Sequence, residues 1–208
     1  MLVKPVRRII DALVALCALA GVLAVGTATI ALAKGTFGIV RWPVQWDTPV
    51  ASSALADGGM LTASRGEIVL AGAPFAHAID VIAQLAVIGL AAAALLALRK
   101  VLILLAAGTP FTVQTLAAIR RIGFAILGIC AVSLVHVVIV TQIILRSAPM
   151  PRGVALHTPL SWNVEGMRNV WMEYDVPLIA LVVALLAFLV AEAFRVGLAY
   201  REDSESMV

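Results

Sequence analysis

Four stretches of this chain are long, apolar and free of Lys, Arg, Asp and Glu: residues 12–33, 81–98, 122–145 and 176–191. An α-helix rises about 1.5 Å per residue, so some 20 apolar residues cross a hydrocarbon core about 30 Å thick. A water-soluble chain carries about 25% charged residues. Here the figure is 13%, with 62% of residues hydrophobic, and the missing charge is missing from those four stretches. The expectation is an all-α polytopic membrane protein: one membrane domain over 1–208, with transmembrane helices at about 10–33, 77–98, 122–145 and 176–197.

The connecting segments differ in character. Lys4, Arg7 and Arg8 precede the first apolar run, which ends on Ala31, Leu32 and Ala33. That ending imitates a signal-peptide cleavage site, but the apolar run exceeds the usual length of about 7–15 residues, so a retained helix is expected. Segment 34–76 follows, with extended or turn material at Trp42-Pro43, 47–49 and 57–59, and a short strand at 67–71 closed by Gly72. The second helix meets Arg99 and Lys100. Beyond them 101–107 is apolar again, either prolonging the helix or lying in the interface. Gly108 breaks the pattern. Thr109 can cap a new helix, Pro110 suits its first position, and Thr112 offers a second cap. Residues 99–121 thus form a connector. Segment 146–175 opens with 147–151, a run with two prolines that resists helix.

Orientation follows from Lys and Arg near the helix ends, which favour the cytoplasmic side. Lys4, Arg7, Arg8, Arg99, Lys100, Arg120, Arg121, Arg195 and Arg201 lie on one side. The other side carries Lys34, Arg41, Arg65, Arg146, Arg152 and Arg168 on two longer segments. The connector has four basic residues and no acid, so it and both termini are expected in the cytoplasm. Segments 34–76 and 146–175 are then extracytoplasmic and can build a small cap. They hold all four tryptophans, Trp42, Trp46, Trp162 and Trp171. Trp171 stands near enough to the fourth helix to anchor it at the interface; the others can fill a cap.

Polar groups inside the apolar runs are the candidate site residues. His77, Asp80 and Gln84 share one face of the second helix and can satisfy one another at the outer interface. Two ligands are too few for a metal site. His136 lies in the outer half of the third run and should face other helices as a neutral imidazole; Ser133 and Thr141 are nearby candidates for the same polar interior. Glu192 and Arg195 stand near the inner end of the fourth helix, at the depth of Arg99, Lys100, Arg120 and Arg121. A charge-paired lock there is expected, with Glu192 held by Arg195 or by a basic residue of the connector. Ala20, Ala24 and Ala28, with Gly89, Ala93 and Ala97, mark close-packing faces.

Two motifs carry a resemblance. Gly108-Thr109-Pro110-Phe111, followed by Arg120-Arg121-Ile122-Gly123, resembles the central signature of a bacterial family of four-helix inner-membrane proteins, domain of unknown function 2975. Residues 191–197, with 201–205 and the terminal Val208, resemble that family's C-terminal signature. The chain departs from the pattern at Thr115, where the family tends to asparagine, and at Val113, Ala117 and Ala118, where it tends to charge. The resemblance implies a four-helix fold in a bacterial inner membrane. It also implies a small helix-turn-helix regulator as a cytoplasmic partner.

Catalytic chemistry has no foothold: a phosphate-binding glycine loop, a metalloprotease motif and an activated serine are all missing from the sequence. Cys17 and Cys130 both lie in apolar runs, which gives no disulfide framework outside. The expectation is a non-enzyme without cofactor or metal. It should contact membrane lipid, with homo-oligomers allowed and no direct nucleic-acid binding. A sensory or regulatory binding module is the leading function. A small transporter or channel for an ion, proton or small molecule, motivated by Asp80 and His136, is the alternative, and a structural membrane protein the third.

Overall fold

A computed structural model describes residues 3–46, 53–54, 60–61, 65–70, 73–147, 154–157, 168–172 and 178–206. The turns expected at 47–49 and 57–59, Gly72, the stretch 148–151, Trp162, the side chain of Thr141 and the terminal Val208 lie outside the described residues. Helices α1 (Val3–Ala33), α2 (Pro74–Ala106), α3 (Val113–Ser147) and α4 (Leu178–Ser206) carry the four apolar runs. All four are long and apolar enough to cross a membrane. They form an all-α bundle whose surface is inverted relative to a soluble protein. Only 6% of the most apolar window of α1, 6% of that of α2, 22% of that of α3 and 11% of that of α4 is buried. In water such a surface would aggregate; in lipid it needs no other cover.

The chain divides into two compact units. One comprises Met1–Thr29, Val81–Leu134 and Pro177–Val208, the other Ile30–Asp80 and Val135–Val176. In the first unit α1 is covered along a single seam, Ile10, Val14, Cys17, Gly21, Ala24 and Ala28. The spacing alternates four and three, the period that keeps one stripe of a helix against a neighbour. A Cβ on Gly21 would stand 3.9 Å from Ile88, so the neighbour is α2. Ala24 and Ala28 belong to this seam as expected from their size, whereas Ala20 is exposed.

Helix α2 runs on through Ala106, so the apolar residues after Lys100 prolong it. It ends on Gly108, whose φ of 71° is open to glycine at little cost. Gly108 N–H donates to Leu105 O (3.1 Å) and Thr109 N–H to Leu104 O (3.2 Å). This is the paired closure of a Schellman motif. The C-terminus of α1 repeats it: Gly35 (φ 68°) N–H donates to Leu32 O at 3.2 Å, and Thr36 N–H to Ala31 O at 2.9 Å. Thr109 therefore closes α2 rather than opening α3, and Pro110 lies before the helix rather than at its first position. Thr112 is the cap of α3, its Oγ1 accepting from Thr115 N–H at 3.2 Å.

The second unit contains a sheet. Its strands are β1 (Val40–Trp46), β4 (Arg65–Leu70), β5 (Val154–His157) and β6 (Arg168–Met172), in the order β4-β1-β6-β5. β2 (Ser53–Ala54) and β3 (Met60–Leu61) pair separately. β1 is antiparallel to β4 from Val40↔Leu70 to Gln45↔Arg65, and antiparallel to β6 from Val44↔Met172 to Trp46↔Val170. β5 and β6 are parallel. The β6 pairing begins one residue after Pro43, which has no N–H to donate across a second flank. Val44 is fully buried. The two segments that join α1 to α2 and α3 to α4 thus build one sheet, through the β1–β6 pair.

Candidate functional site

Two groups of side chains stand out, one in each unit. In the unit that holds the sheet, Gly38 O accepts from Ala73 N–H at 3.0 Å, just before Pro74 opens α2. His77, in the first turn, places Nδ1 3.2 Å from Ile39 O, and its ring lies 4.4 Å from that of Phe37. Asp80 is one turn further along. Its Oδ1 is 3.2 Å from Nε2 of His136 on α3, with 33% and 16% of the two side chains exposed. The contact brings a carboxylate of α2 against an imidazole of α3. Of the three residues expected to share one face, His77 holds the chain leaving α1 and Asp80 meets α3. Gln84 lies in the other unit, on the continuation of α2, and is exposed. No three His, Cys, Asp or Glu side chains among the described residues could share a metal ion.

The second group lies where α2, α3 and α4 meet near the 107–112 turn. Val101, Ala118, Ile119 and Ala191 form a buried cluster, with Leu116, Ile122 and Phe194 packed against it. Thr115 is fully buried beside it, its hydroxyl 2.9 Å from that of Thr112. Phe111 and Phe194 stack at 5.3 Å, and a Cβ on Gly197 would come within 2.9 Å of Phe111. One turn into the bundle, a Cβ on Gly123 would meet Phe188 at 2.9 Å, and Phe188 packs edge-on against Phe124 at 5.0 Å. Phe111 thus meets Phe194 and Gly197, and Gly123 meets Phe188; these aromatic–glycine contacts of α4 form a clasp, while Gly108 and Pro110 lie in the turn that leads into it and a Cβ on Gly108 would meet nothing within 4 Å. Arg120 and Arg121 are exposed beside it.

No family model, no curated protein and no solved structure matches the chain. Its architecture is that of a polytopic membrane protein. Four apolar helices with outward-facing side chains carry that conclusion, and the family resemblance of the two motifs gains no support from the comparisons.

Within this multi-pass architecture Glu192 takes the first of its two expected partners, Arg195. Glu192 pairs along its own helix: Arg195 Nε donates to both carboxylate oxygens, at 2.9 and 3.0 Å. Both side chains are at least half exposed, and among the described residues no basic group of α2 or α3 joins them. The charge contact between helices uses Asp11 instead. Arg99 Nε lies 2.7 Å from Asp11 Oδ1, tying α2 to α1, and Arg7 Nε stands 3.9 Å from Oδ2. The signal for Asp11 was present: it is the only acid before residue 47, set among Arg7, Arg8 and the basic connector.

Asp11→Asn and Arg99→Gln should each lower the melting temperature of the purified protein, and the double variant should lose less than the sum. With 46% of Asp11 and 35% of Arg99 exposed, the coupling should be about 1 kcal/mol rather than the larger cost of a buried pair. Strict additivity would mean that the contact does not hold the helices together.

Proposed function

We propose that the protein is a sensory or regulatory binding module of a bacterial inner membrane, with the sheet outside and both termini and the 107–112 turn in the cytoplasm. The observation that carries this reading is the β1–β6 pair. It makes a single surface out of both outer segments, and that surface is hydrogen-bonded through Gly38 and Ala73 to the start of α2. A ligand that moves the sheet would act directly on helices that continue into the other unit. The basic, acid-free connector supports the orientation. Membership of the family named domain of unknown function 2975 is part of the proposal, and what supports it is that its two motifs meet in one clasp. A small cytoplasmic helix-turn-helix regulator is then the proposed partner.

The test is site-specific photocrosslinking in native membranes. A photoreactive residue at the exposed Gln114 should capture a specific soluble protein, and the same residue at Gln45 should not. Repeated absence of any adduct from Gln114 under expressing conditions would remove the regulatory reading.

A small transporter or channel is the second reading, favoured by the Asp80–His136 contact between α2 and α3, because carboxylate–imidazole pairs in membrane helices recur on ion and proton paths. Reconstituted vesicles decide it. Flux that depends on protons or ions and falls in His136→Ala would support it; absence of flux, with wild type and variant alike, would dismiss it.

A further inference from the structure

The basic residues at the inner ends of the helices are not equivalent. Arg99 and Arg7 face Asp11, and Arg195 is held by Glu192. Lys100, Arg120 and Arg121 are exposed, and no acidic side chain among the described residues pairs with them. They stand at one level: Lys100 precedes Val101, Arg120 follows Ile119, and Val101 and Ile119 pack in the same buried cluster. On the side of that level toward the middle of the helices, the same two helices expose Leu96, one turn from Lys100, and Phe124, one turn from Arg120 and Arg121, with relative exposures of 50% and 62%. Three cations without an acidic partner among the described residues therefore border an apolar surface.

We infer that Lys100, Arg120 and Arg121 form a collar that binds an anionic phospholipid, its headgroup phosphodiester against the cations and its acyl chains along Leu96 and Phe124. A phospholipid joins an anion to an apolar tail in the geometry these helices offer. A soluble acidic segment would satisfy the cations and leave Phe124 and Leu96 uncovered. Snorkelling of the three side chains out of the bilayer is not required, because their level is where the charges of α1 and α4 also lie, at Asp11 and Glu192. The proposal rests on the membrane-spanning architecture and not on the regulatory reading.

The experiment titrates a fluorescent phosphatidylglycerol onto the full-length protein in neutral detergent, beside a fluorescent phosphatidylcholine. Wild type should prefer the anionic lipid. The triple variant Lys100→Gln, Arg120→Gln, Arg121→Gln should bind it about 100-fold more weakly, at about fivefold for each basic group that faces an anionic headgroup. Lys100→Arg with Arg120→Lys and Arg121→Lys should retain the preference, and Arg195→Gln should leave it unchanged. Unaltered binding in the glutamine triple variant, or equal binding of the two lipids by wild type, would overturn the proposal. So would full displacement of the lipid by inorganic phosphate or by a soluble polyglutamate peptide, since either would show a site for the anion alone. Loss of helical circular dichroism in the glutamine variant would shift the decision to the charge-conserving variant, whose loss of preference would count against the collar.

Discussion

Gly38→Ala is expected to lower the melting temperature of the sheet-bearing unit by about 10 °C, about twice the effect of Gly35→Ala. Both glycines have positive φ, 106° at Gly38 and 68° at Gly35. At Gly35 an added Cβ meets nothing within 4 Å, so the cost is that of a left-handed alanine, about 1–2 kcal/mol. At Gly38 the Cβ would stand 3.0 Å from Pro74 N and 3.3 Å from Ala73 N. These are backbone atoms at the start of α2 and cannot swing aside as a side chain can. A backbone conformation reserved for glycine costs about 1–3 kcal/mol, and moving α2 adds to it while straining the Ala73–Gly38 hydrogen bond. For a chain of this size about 1 kcal/mol corresponds to roughly 2–4 °C. Tryptophan fluorescence is the suitable readout, because all four tryptophans lie in segments 34–76 and 146–175. Equal, small shifts for the two variants would show that Gly38 does not join the sheet to the helix.

The second large effect concerns the clasp. Gly123→Val and Gly197→Val should each cost about 1–3 kcal/mol, the usual range for overpacking, whereas Gly89→Val should be close to neutral. A Cβ at 123 would meet the Phe188 ring and one at 197 the Phe111 ring, both at 2.9 Å, whereas nothing lies within 4 Å of one at 89. Phe188 has little freedom to yield, since Phe124 packs against its edge. Phe111 is less constrained, being 41% exposed, so the 197 variant should be the milder of the two. Phe188→Leu should restore part of the stability lost in Gly123→Val. Thermal melting in one detergent measures all of these. A Gly89 variant as damaging as the other two would mean that β-branched residues are simply tolerated poorly in these helices.

The helices were legible because a run such as 12–33 or 122–145 has one physical solution in a bilayer, a hydrogen-bonded helix. The clasp was visible only in outline. Gly108 and Phe111 marked a break and an aromatic, but nothing local said that Phe111 would reach Gly197, some 86 residues later. Periodicity placed Glu192 and Arg195 on adjacent turns, and it could not tell whether Glu192 would turn to Arg195 or to another helix. Geometry within one helix won because the i,i+3 contact needs no closure of the bundle. The pairing of Asp11 with Arg99 is hidden for the opposite reason: the two are far apart in sequence, and only the antiparallel seam of α1 on α2 brings them together. The sheet was half visible. The strand near 67–71 follows from Ile68, Val69 and Leu70, but β1 pairs with β6 from the other connecting segment, and such a pairing leaves no local trace.

Cysteine accessibility tests the four-crossing architecture most directly, with Cys17 and Cys130 replaced by alanine. Thr115 is a poor reporter for the connector because it is fully buried; Ala107 is exposed, as is Gln45 in β1. In sealed cells a membrane-impermeant thiol reagent should label Gln45→Cys and leave Ala107→Cys unlabelled, and the latter should react once the membrane is opened. Equal labelling of both positions in sealed cells would contradict the four crossings, and labelling of Ala107→Cys alone would place the sheet in the cytoplasm.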